Sequence, residues 1–365
     1  MNRCKNLTLP ILTQKDFDLL EELSNACAVS GNEREVRKIV RREIETLADS
    51  LRMDALGSVI AVKKAKTPEY GRVLIAAHMD EVGFMLVDEE DPGIFRFRSV
   101  GGIDPLTLAG KAVLVGPEHL HGVIGACPIH LSTAEERKKT IPERDLRIDI
   151  GTKNDTVKPG TFAYFATRFT RMGSSVCGKA FDNRTGVCNL IRIFRDCPEN
   201  IELTAVFTVQ EEVGLRGAQV AAWDAKADFV IAFDCTPAND LPAWDGEENT
   251  IYKSRAGYGP VIYTMDGGVM NDPRLISYFR SVAGSYGIPC QLRQPAPGRT
   301  DAGELHLTQE GFSALSLSVP GRYIHSAASI VRICDWEAHL QLAFAALSNF
   351  DREILNRTAE TKGKE

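Results

Sequence analysis

The chain has 365 residues, with 44% hydrophobic and 25% charged residues and a formal net charge of -6. That is too long for one small core and ordinary for a globular protein, so two domains are expected. The acidic balance argues against a nucleic-acid or anionic-membrane partner, and no apolar run approaches the roughly 20 residues that span a bilayer.

The N-terminal stretch has no small-residue cleavage site, so no signal peptide is expected. Residues 15–27 read as a first helix. Ser30-Gly31-Asn32-Glu33 then has the form of a capping box for a second helix. That helix is expected to run to about Leu47, with Val36, Ile39, Val40 and Ile44 on one face. Residues 58–64 and 71–77 read as neighbouring strands, joined by the polar turn Lys66-Thr67-Pro68-Glu69-Tyr70.

Beyond Glu81 the texture changes. Short β-like runs at 94–100, 111–115, 122–129, 146–150 and 161–169 are punctuated by glycine, with only a short charged turn at 134–139. Residues 83–173 are therefore expected to form a small β-barrel or β-sandwich. The α/β pattern resumes with a helix over 183–194 and alternates to the end, where the polar residues 358–365 are expected to fray. The β-rich segment thus reads as an insertion into an α/β domain made of residues 1–82 and 174–365. The nine cysteines, Cys4 to Cys334, are odd in number, dispersed and free of any C-x-x-C pair. Such usage suits a reduced, cytoplasmic protein.

Four apolar runs of the α/β part lead to acidic or imidazole side chains. Val73-Leu74-Ile75-Ala76-Ala77 runs into His78, residues 203–209 into Gln210-Glu211-Glu212, 228–233 into Asp234, and 314–319 into the turn before His325. Such runs suit buried parallel strands, and in open α/β sheets ligands bind beyond the carboxyl ends of the strands. Asp182 joins them from Lys179-Ala180-Phe181-Asp182-Asn183-Arg184, a loop that opens onto a helix. Taken singly, each of these acids is as readily a helix cap. Together the five offer nitrogen and oxygen donors that suit Zn²⁺, Co²⁺ or Mn²⁺.

Asp80 stands two positions beyond His78, placed to accept the other ring N–H and fix the tautomer. The two oxygens of Asp182 can bridge two metals roughly 3.5–4 Å apart. Glu211 and Glu212 repel one another unless something cationic is near. We assign Glu212 to ligation and Glu211 to general acid/base work on the attacking water. Cys235 follows Asp234 on its strand and points elsewhere. His119 and His121 form an H-x-H pair inside the insertion and read as surface.

The set Ala76-Ala77-His78-Met79-Asp80-Glu81, Lys179-Ala180-Phe181-Asp182-Asn183-Arg184, Gln210-Glu211-Glu212-Val213-Gly214, Phe233-Asp234 and Arg322-Tyr323-Ile324-His325-Ser326 resembles the M42 metallo-aminopeptidases, the glutamyl or deblocking aminopeptidase family. Ser30-Gly31-x-Glu33, Gly101-Gly102-Ile103-Asp104, Asp149-Ile150-Gly151, Gly257-x-Gly259-Pro260 and Thr300-Asp301-Ala302 extend the likeness over about residues 15–350. The resemblance implies a zinc-peptidase-like mixed sheet flanked by helices. It implies that His78 and Asp234 bind one metal, Glu212 and His325 the other, and that Asp182 bridges both. It further implies Asp80 as orienting residue, Glu211 as base, and an inserted domain that dimerises, since relatives commonly form tetrahedral dodecamers built from dimers. The chain departs from the family at Ala327-Ala328-Ser329, where Pro-x-Glu is usual after His-Ser, and at Arg299, where a glycine is common.

The function expected is a cytoplasmic, homo-oligomeric aminopeptidase with two divalent metals per subunit, zinc first and cobalt or manganese as alternatives, acting on the N-termini of short peptides. A water activated at the metals gives its proton to Glu211. The rivals are a deacylase-type amide hydrolase on the same scaffold and a non-catalytic assembly protein. The intact ligand set argues against the latter, because buried carboxylates are costly without a cation. Some relatives carry an endoglucanase label, but His78 and His325 have no role in a two-carboxylate glycosidase.

Overall fold

In the strand Gly71–His78, Val73, Ile75 and Ala77 face one helical layer while Leu74 and Ala76 face the other. Phe229–Pro237 repeats the pattern, with Phe229, Ile231 and Phe233 on the first side and Val230 and Ala232 on the second. This period of two is what a strand covered on both faces requires. The computed structural model describes residues 7–66, 71–243, 246, 247, 249, 254–295 and 297–356. The tail at 358–365, Cys4, and the turn beyond Lys66 lie outside the described residues.

Among the described residues, eleven strands form one mixed sheet. Its centre is parallel, in the order Ile201–Thr208, Gly71–His78, Phe229–Pro237, Ser313–Arg322. Helices Gln14–Asn25, Arg34–Ile44, Phe181–Arg195, Pro273–Tyr286 and Ile333–Asn349 cover one face and bury Phe17, Val36, Leu190, Phe279 and Trp336 against it. The short helices Arg216–Ala221 and Ala302–Leu305 cover the other. No helix among the described residues is long and apolar enough to cross a membrane.

Two expectations are corrected. Val59–Lys63 and Gly71–His78 are not neighbours: Ile201–Thr208 lies between them, antiparallel to the first and parallel to the second. Val59–Lys63 ends half-exposed, whereas Gly71–His78 is buried to its end, so the more polar strand takes the outer place. The capping box at Ser30 and Glu33 does not form. Ser30 Oγ donates instead to Asp80 Oδ2 at 2.6 Å. Glu33 Oε1 accepts from the amides of Gly31 at 2.6 Å and Gln210 at 3.2 Å. A reciprocal cap occurs one helix earlier, where the Asp16 carboxylate accepts from the Thr13 amide and hydroxyl, each at 2.7 Å.

Six strands, Gly83–Asp91, Ile94–Val100, Ala112–Val115, Leu120–Gly125, Arg147–Asp149 and Phe162–Phe165, close a barrel. Their alternate residues fill it, and Phe84 meets Phe97 and Phe165 edge-on with ring centroids 5.1 Å away in each case. The next strand, Thr170–Met172, pairs with Ser175–Gly178 in the large sheet. The barrel leaves the sheet directly after His78. At Gly83 any Cβ would lie 2.1 Å from Val29 Cγ2 and 2.9 Å from the Ala163 carbonyl. Only glycine permits that close approach.

Candidate metal centre

The four parallel strands present their carboxyl ends along one edge of the sheet, and the predicted residues converge there. His78 closes its strand with Nε2 3.1 Å from Asp182 Oδ1 and 3.5 Å from Asp234 Oδ1. His325, in the turn after Ser313–Arg322, places Nε2 3.3 Å from Asp182 Oδ2 and 3.4 Å from Glu212 Oε2. The two oxygens of Asp182 therefore face two different imidazoles, each of which faces a further carboxylate. His78, Asp182 and Glu212 each offer a donor atom within 4.8 Å of the others.

Backbone carbonyls set both rings. Nδ1 of His325 lies 2.9 Å from the Gly102 carbonyl, and Nδ1 of His78 lies 3.2 Å from the Asp80 carbonyl. A carbonyl only accepts, so each Nδ1 carries a proton, which leaves Nε2 as the ring atom that faces the carboxylates and is available to ligate. The Asp80 carboxylate, 3.5 Å from His78 Nδ1, serves other donors more closely. It accepts from the Glu211 amide at 3.0 Å, the Glu212 amide at 3.1 Å and the Ser30 hydroxyl. Asp80 thus fixes the glutamate pair as well as the histidine.

The set holds more negative charge than the polypeptide neutralises. Burial, with Asp182 nearby, pushes Glu212 up to about 8 against the pull of His325 and His78. Burial likewise raises Asp234 to about 7, with Asp182 adding to it and His78 opposing. Glu211 is pushed well above the usual carboxylate range by burial and by Glu212, Asp234 and Asp301. Burial disfavours the charged form of His325, yet Glu212 and Asp182 outweigh it and raise its pKa to about 10. A site that must either protonate its side chains or bind cations, built from carboxylate oxygen and imidazole nitrogen donors, fits divalent metal ions. A void of about 10 Å³ bordered by Asp182, Glu212 and His325 gives room on the scale of one small ion or water.

Residues 57–342 match the family model described as M42 glutamyl aminopeptidase. The chain belongs to that family. It is similar to the lysyl aminopeptidase of Pyrococcus furiosus, 31% identical over 345 residues that cover 91% of this chain and 96% of the relative. It is also similar to the glutamyl aminopeptidase of Lactococcus lactis subsp. cremoris, 31% identical over 339 residues, covering 88% and 92%. The solved TET1 peptidase of Pyrococcus horikoshii, which can assemble into a tetrahedron or a large octahedral shell, superposes with a TM-score of 0.80 at 34% identity, covering 92% of this chain and 100% of that one. The protein is accordingly a peptidase, a hydrolase of peptide bonds.

Several residues around the centre of this M42 peptidase were not singled out from sequence. Lys179 and Arg184 flank Asp182 and hold the buried carboxylate of Glu81, with Lys179 Nζ at 2.7 and 2.8 Å and the Arg184 guanidinium at 3.2 Å. Two cations in one six-residue motif beside an apolar sheet were the available signal. Asp301 accepts from the Thr208 hydroxyl at 2.5 Å, which ties the Thr300-Asp301-Ala302 motif to the strand that leads to Glu211. A cleft of about 620 Å³ opens over the centre and is walled by Glu211, Tyr263, Arg293 and Tyr323. Arg293 stacks on the Tyr263 ring at 4.4 Å. His119, read as surface from sequence, instead reaches back to Glu35 of the second helix at 2.7 Å.

Proposed function

We propose that this chain is a two-metal aminopeptidase that releases N-terminal residues from short peptides. The observation that carries the reading is the split Asp182 carboxylate, one oxygen toward His78 and the other toward His325. We assign His78 and Asp234 to one ion, Glu212 and His325 to a second, and Asp182 to both, with zinc first and cobalt or manganese as alternatives. Divalent ions held by these residues would supply Lewis-acid polarisation of the scissile carbonyl and a lowered pKa for water.

The chain's own residues do the rest. Glu211 lines the cleft beside His78 and Asp182, so its carboxylate takes a proton from the attacking water and returns it to the leaving nitrogen. Asp80 holds the Glu211 and Glu212 amides, which fixes the turn that carries both the base and the ligand. A panel of peptides with free and N-acylated termini, digested with each metal, tests this. Only free termini should be cleaved, one residue at a time. Cleavage of acylated termini alone would favour the deacylase reading, and a purified protein that binds no stoichiometric divalent ion would favour a non-catalytic scaffold.

The same proposal covers setting and assembly. The eight described cysteines form no disulfide, in keeping with a cytoplasmic protein. We assign residues 83–173 to dimerisation, with dimers building a larger shell, because Leu106, Ile129 and Leu131 stand about 70% exposed on this segment. Ile129→Asp combined with Leu131→Asp should lower the mass measured by light scattering while leaving the circular dichroism spectrum unchanged. An unchanged mass would remove this face from the assembly.

A further inference from the structure

The seam between the barrel and the α/β core carries a second donor set that peptide hydrolysis does not use. Cys27 lies two residues past the first helix, Glu35 in the first turn of the second, and His119 between the barrel strands Ala112–Val115 and Leu120–Gly125. One donor atom from each, a thiol sulfur, a carboxylate oxygen and a ring nitrogen, lies within 4.8 Å of the other two. His119 Nε2 is 2.7 Å from Glu35 Oε1, and Glu35 Oε2 accepts from the Cys27 amide at 2.8 Å.

The surroundings hold these groups in place. Cys27 packs with Val29, Leu114 and Tyr164 across the seam. The His119 ring stands edge-on to Tyr164, whose hydroxyl accepts from Asn32 Nδ2 at 2.6 Å. His119 adopts φ +52°, a left-handed conformation that non-glycine residues rarely take. An ion pair between His119 and Glu35 accounts for part of this arrangement. It does not account for a thiol that is 1% exposed, lies within 4.8 Å of both groups and has no side-chain hydrogen-bond partner among the described residues.

We propose that Cys27, Glu35 and His119 bind one zinc-class divalent cation that clamps the barrel to the α/β domain. Thiolate, imidazole and carboxylate are the three ligand types zinc takes, and three protein ligands leave a fourth position for water. Bond lengths of about 2.0–2.3 Å in a tetrahedral site separate ligand atoms by about 3.3–3.7 Å. The His119–Glu35 contact, now 2.7 Å, therefore opens by less than an ångström, and the sulfur, within 4.8 Å of both donors, has at most roughly 1.5 Å to close. Without a cation, burial pushes the Cys27 thiol up to about 12. The positive charge of Lys179 opposes this only in part, and Glu81 and Glu35 add to it. A bound ion is what releases that proton.

The test uses the full-length protein stripped with chelator and reloaded with Co²⁺. The centre at His78 and His325 is built from nitrogen and oxygen donors, so a near-ultraviolet thiolate-to-Co²⁺ charge-transfer band reads the seam alone. Wild type should show the band. Cys27→Ser and His119→Ala should each lose it and bind one ion fewer per chain than wild type, while Cys235→Ala keeps both. His119 is partly exposed, so its variant serves if Cys27→Ser fails to fold. No band in wild type, a band that survives Cys27→Ser, or equal metal content in wild type and His119→Ala would leave only an ion pair and overturn the proposal. Neither readout depends on peptidase activity, so failure of the two-metal reading would be seen separately.

Discussion

Glu211→Gln is expected to keep both metals and to lose roughly 10²–10⁴-fold in turnover, the usual worth of a general base. The side chain lines the cleft, whereas Glu212 faces His325 with Oε2 3.4 Å from its Nε2. Asp80 holds residues 211 and 212 by their amides, so a glutamine in place of Glu211 keeps the turn and the position of its neighbour. The amide fills the same space and cannot accept a proton. KM should change little, because groups that bind substrate are untouched, and the loss should fall on kcat. Glu212→Gln should behave differently, with weaker binding of one ion and activity that excess metal partly restores. Metal content by mass spectrometry, measured beside steady-state kinetics, separates the two variants. Loss of metal from Glu211→Gln would reverse the assignment.

The contrast between these adjacent glutamates shows what was legible in the sequence. Apolar runs ending in His78, Glu212 and Asp234 are visible because a strand buried on both faces must be apolar until it reaches the edge where function sits. The barrel is visible for a similar reason, since alternate large side chains such as Phe84, Phe95 and Phe97 must fill a small interior. Strand order was not legible. Nothing local to residues 59–78 announces that Ile201–Thr208 inserts between Val59–Lys63 and Gly71–His78, because pairing is decided by segments far away in the chain. Nor was the use of Ser30 and Glu33. Their spacing fits a helix cap, yet Ser30 and Glu33 serve Asp80 and Gln210 across more than 40 residues of chain. A local motif loses when a buried carboxylate and a strained turn, with Gln210 at φ +55°, need the same donors and acceptors more. The role of Asp80 was legible only in part, because its amide partners appear only once the Glu211 turn is folded over it.

Asp182→Ala should lower metal occupancy at both positions together, and this separates a bridging carboxylate from an ordinary ligand. Its Oδ1 faces His78 and its Oδ2 faces His325, so truncation removes a donor from each side at once. It also leaves two buried groups of acids, Asp234 on one side and Glu212 on the other, with less cation to neutralise them. Affinity should fall on the order of 100-fold or more at each position, since even supporting partners of metal ligands are worth 10–100-fold. The fold should survive. Lys179 and Arg184 remain anchored on Glu81, and Phe181 stays buried in the core. His325→Ala supplies the contrast, because His325 contacts only Asp182 and Glu212 of this set and should empty mainly one position. Equilibrium dialysis in metal buffer, followed by metal analysis, should give both ions lost for Asp182→Ala and about one for His325→Ala. If the Asp182 variant sheds a single ion and holds the other as tightly as wild type, the carboxylate does not bridge, and the two positions are then independent sites that share an edge of the sheet.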